Sequence, residues 1–240
     1  MRTLSLCTLL ASLLSCTGND KGSDDSGGDT AAPQDTDGSD DTVHATMMVL
    51  DPMDGSAIEG VTVESPTGLT ERTDGQGTTR FDLEPRGTFQ FSLKQSGAID
   101  HLVFGPTGSE DFTYRAFLAT ENMLAMVGGL LGTSQENGTG ILVVIIDYDD
   151  LEAVVGANAS IGSSHGESWV MTDAEPTFGN TIPEGGNGVV VFPNIAPGET
   201  SVTVTPPDGV ACTAFPGGSQ MPNPPIFMNH ATVVTFHCRD

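Results

Sequence analysis

Basic residues are scarce. The 240-residue chain carries eight Lys+Arg against 32 Asp+Glu, a formal net charge of -24. A surface of that sign cannot gather phosphates, which excludes nucleic acid as a partner and electrostatic docking on anionic lipid. Aromatic residues are few: 11 Phe, two Tyr and one Trp. Trp169, Tyr114 and Tyr148 lie far apart in sequence, thin material for a sugar-stacking platform. Long apolar runs are missing too. The leading one covers residues 4–14, short of the roughly 20 residues that cross about 30 Å of hydrocarbon as a helix.

Catalytic signatures are also lacking. His44, His101, His165, His230 and His237 include no H-E-x-x-H pair, the spacing that puts two imidazoles on one helical face. His165-Gly166-Glu167 places Glu at i+2, where the zinc carboxypeptidase motif needs i+3. The clusters at 158–162 and 162–166 lack the G-x-S-x-G elbow. Neither a phosphate-cradling loop nor a dinucleotide fingerprint occurs. The chain therefore reads as non-enzymatic and without a cofactor. A hydrolase built across loops around His165 is the enzymatic alternative.

Turn formers are plentiful: 30 Gly and 15 Pro, which suit turn-rich β structure better than helical bundles. Residues 1–15, with Arg2 followed by the apolar stretch, fit a secretory signal peptide. Leu13-Leu14-Ser15-Cys16 resembles the bacterial lipobox, which implies cleavage before Cys16 and acylation of its thiol and freed amine. More than one acyl chain gives stable anchoring at about 0.8 kcal/mol per buried CH₂. Thr17 stands where such lipoproteins carry Asp for inner-membrane retention. The resemblance thus implies the outer membrane of a two-membrane cell, on its periplasmic or exterior side. The rival is an ordinary secretory signal that contains Cys16. Residues 17–42 hold eight Asp, one Lys and no large apolar side chain, so they predict a disordered acidic linker. Its average span is roughly 28 Å.

Residues 43–135 and 136–240 read as two β units in tandem. Short apolar runs at 45–50 (ATMMVL), 60–64 (GVTVE), 79–83 (TRFDL) and 88–93 (TFQFSL) alternate with Gly/Pro turns. The order recurs at 140–147 (GILVVIID), 154–161 (VVGANASI), 188–192 (GVVVF) and 200–205 (TSVTVT). The expected class is all-β: two tandem Greek-key β-sandwiches with separate cores and one short helix between them, after a disordered linker.

At these residues the chain resembles the carboxypeptidase regulatory-like (transthyretin-like) β-sandwich family. The carriers are Gly60-Val61-Thr62-Val63, Thr73-Asp74-Gly75-Gln76-Gly77 and Pro85-Arg86-Gly87-Thr88-Phe89, with Gly156-Ala157-Asn158-Ala159 and Pro197-Gly198-Glu199-Thr200 in the second copy. The second copy departs at Thr172-Asp173, which leads into a long insertion. The resemblance implies a fold and no catalysis, and by analogy with related sandwiches a possible carbohydrate-binding role. Some related surface sandwiches carry internal Lys–Asn or Lys–Asp crosslinks. Here Lys21 and Lys94 are the only lysines, so the second unit cannot form one.

Residues 120–133 (TENMLAMVGGLLGT) break the β pattern, with Met123, Met126, Val127, Leu130 and Leu131 on one helical face and Thr120 as N-cap. The helix either covers a sandwich end or junction, or offers a Met-rich surface to a peptide or acyl ligand. Cys212 and Cys238 are the pair left after Cys7 and Cys16, and in an exported domain predict a disulfide. A two-cysteine metal site with His230 or His237 is the rival, and its spacing matches no zinc pattern. Asp51 and Asp54, and Asp147, Asp149 and Asp150 at the equivalent place in the second unit, are calcium candidates or solubilising turn residues. The leading expectation is a membrane-anchored envelope lipoprotein with a structural or surface-interaction role and a glycan or envelope-protein partner. The alternative is a carbohydrate- or peptide-binding module.

Overall fold

The computed structural model describes residues 42–149, 151–173 and 175–240. The signal peptide at 1–15, Cys16, the linker up to residue 41 and Asp150 lie outside the described residues. The fold is all-β with one short helix, as expected. In the first half the strands are β1 (Val43–Leu50), β2 (Thr62–Glu64), β3 (Thr70–Arg72), β4 (Thr78–Leu83), β5 (Thr88–Lys94), β6 (Asp100–Pro106) and β7 (Phe112–Phe117). The helix α1 (Glu121–Leu131) follows. Next come β8 (Gly140–Tyr148), β9 (Asn158–Ile161), β10 (Trp169–Thr172), β11 (Thr177–Phe178), β12 (Gly186–Ile195) and β13 (Gly198–Glu199). The chain continues through β14 (Val202–Thr205), β15 (Ala211–Ala214), β16 (Pro225–Ile226) and β17 (His230–Arg239).

Strand β1 shows why the first half forms a sandwich. Its sequence VHATMMVL alternates, so Val43, Ala45, Met47 and Val49 all point to one buried face. It is the middle strand of a three-stranded sheet, antiparallel to β4 and parallel to β7. That face packs on β2, β5 and β6 through Val63, Phe89, Phe91 and Val103, which with Phe81 and Tyr114 make the first core.

The larger sheet runs β11-β10-β12-β8-β17-β6-β5-β2-β3, with β15 added beside β17. Strand β17 is parallel to both β6 and β8. Strands covered on both faces read as unbroken apolar runs, and HLVF, ILVVII and ATVVTF are such runs. On β6, neighbouring side chains serve different cores: Val103 the first and Phe104 the second. The second core sets Leu142, Val144, Phe192 and Val234 against Ala159 of β9 and Val202 of β14, which pair with each other. Successive strand residues point to opposite faces. The two cores therefore lie on opposite sides of one continuous sheet, which crosses the position between residues 135 and 136.

Helix α1 starts where expected, with the Thr120 hydroxyl accepting from the Met123 N–H at 3.1 Å. It ends at Gly132, whose φ of 68° satisfies the left-handed cap. Its buried stripe differs from expectation. Val127 is buried against Ile141, Trp169, Val191 and Ala231, flanked by Leu124 and Leu131, whereas Met126 and Leu130 face solvent. A helix apolar nearly all round offers two adjacent stripes, and the sheet selects one. The expected strand at 154–161 shortens to β9, because Gly156 turns the chain at φ 86°.

Candidate functional site

The face of β8, β12 and β17 that carries Ile145, Val189 and Thr235 is roofed at one end by α1 and bordered by β7. A groove remains beside β7. Its more polar part has a volume of about 420 Å³ and is lined by Thr113, Arg115, Asp147, Asp149, Phe215 and His237, among others. An apolar part of about 220 Å³ continues under α1, lined by Leu124, Val127, Val143, Met171 and Val191. Phe117, Ile145, Asn187 and Val189 line both parts.

At the polar end, His237 sits between two carboxylates. Its Nε2 is 3.2 Å from Asp147 Oδ1 and its Nδ1 is 3.5 Å from Asp149 Oδ1. Arg239 donates from Nε to Asp149 Oδ2 at 3.1 Å, and Phe215 stacks on the imidazole with centroids 4.0 Å apart. Burial pushes the His237 pKa down, opposed by the Asp149 charge. Beside it, the Tyr114 and Thr235 hydroxyls bond at 2.8 Å across the two halves of the fold. Burial raises the Tyr114 phenol above its ordinary range.

The remaining histidines have structural contacts. His101 is buried: its Nδ1 lies 2.8 Å from the Ile99 carbonyl and its Nε2 accepts from the Ala119 N–H at 3.2 Å. Burial drives its pKa down to about 4. His44 pairs with Asp82, His230 with Asp100, and the His165 ring meets the Gly166 carbonyl and Phe192.

Sequence-predicted site residues divide cleanly. Cys212 and Cys238 are joined in a disulfide between directly opposed positions of β15 and β17. Asp51 accepts from the Met53 N–H and Asp54 from the Ser56 N–H, the turn chemistry weighed against calcium. Asp147 and Asp149 face His237 and Arg239. No group of three His, Cys, Asp or Glu able to hold a metal occurs among the described residues. Trp169 and Tyr114 are buried, and Tyr148 packs against the second core. Sequence reasoning missed β6, β7, Arg115 and Phe215. The alternation of Phe112, Tyr114 and Ala116 with Thr113 and Arg115 was the available signal for β7.

The chain matches no protein-family model and no curated protein. Among solved structures it is similar to the streptococcal ancillary pilin at 14% identity and TM-score 0.28, covering 83% of this chain and 63% of that one. The chain thus spans less than two thirds of that pilin's length. It is similar to a minor pilin of Streptococcus agalactiae at 14% identity and TM-score 0.29, covering 82% and 95%. A shaft pilin of Lactobacillus rhamnosus GG matches at 11% identity and TM-score 0.26, covering 83% and 98%.

Two expectations are corrected by these matches. The three structures named above are Gram-positive pilins and not carboxypeptidase regulatory-like domains, so that resemblance does not hold. Its main motif is local turn physics: Asp74 accepts from the Gln76 and Thr78 N–H groups, and Thr73 donates to the Ile58 carbonyl. Any sandwich can use such a turn. The outer-membrane destination is withdrawn as well: it assumed a two-membrane cell, whereas the similar structures named above are pilins of Gram-positive organisms.

Proposed function

We propose that this protein is a lipid-anchored constituent of the cell envelope whose β domain serves a non-catalytic, surface-interaction role. The groove beside β7 carries the reading. Asp147, His237 and Asp149 at its polar end are engaged with one another and with Arg239, and its floor is an apolar sheet face. That arrangement suits recognition better than turnover, which needs a nucleophile within reach of a base. The lipobox-like Leu13-Leu14-Ser15-Cys16 supports anchoring through acylated Cys16. Labelled palmitate is expected to enter the wild-type chain and not Cys16→Ala; equal labelling of both, or of neither, refutes the anchor.

Of the binding-module readings, the peptide version is favoured over carbohydrate. The aromatic residues available for stacking sugars include Trp169 and Tyr114, and both point into the interior. The groove instead presents the edge of a sheet.

A further inference from the structure

We propose that the open edge of β7 accepts an extended segment of another protein as an added strand, with an acidic side chain of that segment opposite Arg115. This deepens the surface-interaction reading and rests on it.

Strand β7 ends its sheet, with β1 on one side only. The parallel register pairs Leu50 with Phe117, and the Leu118 N–H donates to the Leu50 carbonyl at 3.0 Å. In a parallel ladder the backbone groups of alternate residues turn to the same side. Those of Phe112, Tyr114 and Ala116 therefore point to β1, and those of Thr113, Arg115 and Phe117 point to the open side. No hydrogen bond occupies the open-side groups among the described residues. Six residues of strand present about 20 Å of such edge.

Three other sheet edges are guarded in the usual ways. Strand β3 has three residues, with Glu71 and Arg72 exposed, and β11 has two. Strand β4 carries Arg80 and Asp82, the latter paired with His44. Strand β7 has neither shortness nor proline, and Arg115 is its one charged residue. Its open side borders the groove, so an added strand would turn alternate side chains onto Ile145 and Val189.

The other side chains of the added strand would stand beside Thr113, Arg115 and Phe117 on the exposed face. Directly opposed side chains on one face interact, and opposite charges stabilise the pair. Arg115 forms no ion pair among the described residues, whereas Asp147 and Asp149 face His237 and Arg239. Screening over about 8 Å at physiological salt damps the distant charges. Of the groove's own carboxylates, Asp111 accepts from the His44 N–H while Asp147 and Asp149 face His237 and Arg239, so the Arg115 contact decides. A second copy is the wrong occupant. Antiparallel self-pairing centred on Arg115 sets that residue against its twin, and each copy carries a net charge of -24.

The test uses the full-length chain in detergent micelles and seven-residue synthetic peptides with valine at alternate positions and glutamate or lysine at the centre. Binding is read by fluorescence anisotropy. The glutamate peptide is expected to bind roughly tenfold tighter than the lysine peptide, and Arg115→Glu to reverse that order. N-methylation of the peptide amides that face the edge should abolish binding. Thr113→Pro, which removes an outward N–H from an edge strand without touching the β1 ladder, should weaken it roughly tenfold at unchanged melting temperature. Absence of binding by every peptide, equal binding after N-methylation, or an order unchanged by Arg115→Glu overturns the proposal. The titration is independent of acylation, so its failure and failure of the anchor are told apart.

Discussion

Acidification should destabilise this protein through His101 more than through any other histidine. The imidazole is buried between β6 and the entry to α1, where one nitrogen accepts from the Ala119 N–H. Protonation removes that acceptor and places a charge in an apolar site. Desolvation is the main cause of the shift to about 4 from 6.5; the Ile99 carbonyl and Asp100 oppose it, and His230 adds to it. The folded state thus holds the neutral ring while the unfolded chain takes up a proton below 6.5. The stability tied to this ring is whole above pH 6.5 and is lost as pH falls toward 4. At 1.36 kcal/mol per pH unit the gap amounts to about 3 kcal/mol, a large share of the 5–15 kcal/mol typical of a domain. Urea unfolding can be followed by the fluorescence of Trp169, the single and buried tryptophan. His101→Gln supplies a reference, because its amide can donate to Ile99 and accept from Ala119 without titrating. Carboxylates common to both proteins cancel in the comparison. Between pH 7.5 and 4 the wild type should lose about 3 kcal/mol more than the variant. Equal losses in the two proteins would falsify the assignment.

Tyr114→Phe removes the bond to the buried Thr235 hydroxyl and should lower stability by about 1–2 kcal/mol, seen as a lower melting temperature. Tyr114→Phe combined with Thr235→Val should recover part of that loss, because neither polar group then lies buried alone. Replacing both Cys212 and Cys238 by Ala opens a loop whose ends are 26 residues apart. Chain entropy puts the cost at roughly 3–4 kcal/mol, and the urea midpoint should fall accordingly. A midpoint unchanged by reduction or by the double substitution refutes that figure.

Local chemistry was the most legible part of the sequence. The alternation of β1, the Thr120 cap, the Asp74 turn and the Cys212–Cys238 pair all follow from residues near each other in the chain or from simple pairing arithmetic. What escaped is non-local. The run in β8 was visible as an apolar stretch and β6 was missed, yet nothing in either segment states that β17 lies between them. That placement sets the two cores on opposite faces of one sheet. Arg115 and His237 line one groove although over a hundred residues separate them. Helix α1 lines only the apolar part of the groove, and none of its residues lines the polar part. The stripe chosen on α1 depended in the same way on Trp169 and Val191, which the helix sequence cannot know.

The position of β17 also sets a timetable. It is synthesised after every other strand described, yet it is the central member that bonds to β6 and β8 and holds one half of the disulfide. Until it emerges, β6 and β8 have no neighbour in common, and the second core lacks Val234 and Phe236. Pairing across so long a stretch of chain is slow, because loop closure precedes any stabilising contact. The first core draws no buried residue from β17, so it is the second core that stays incomplete until this late step.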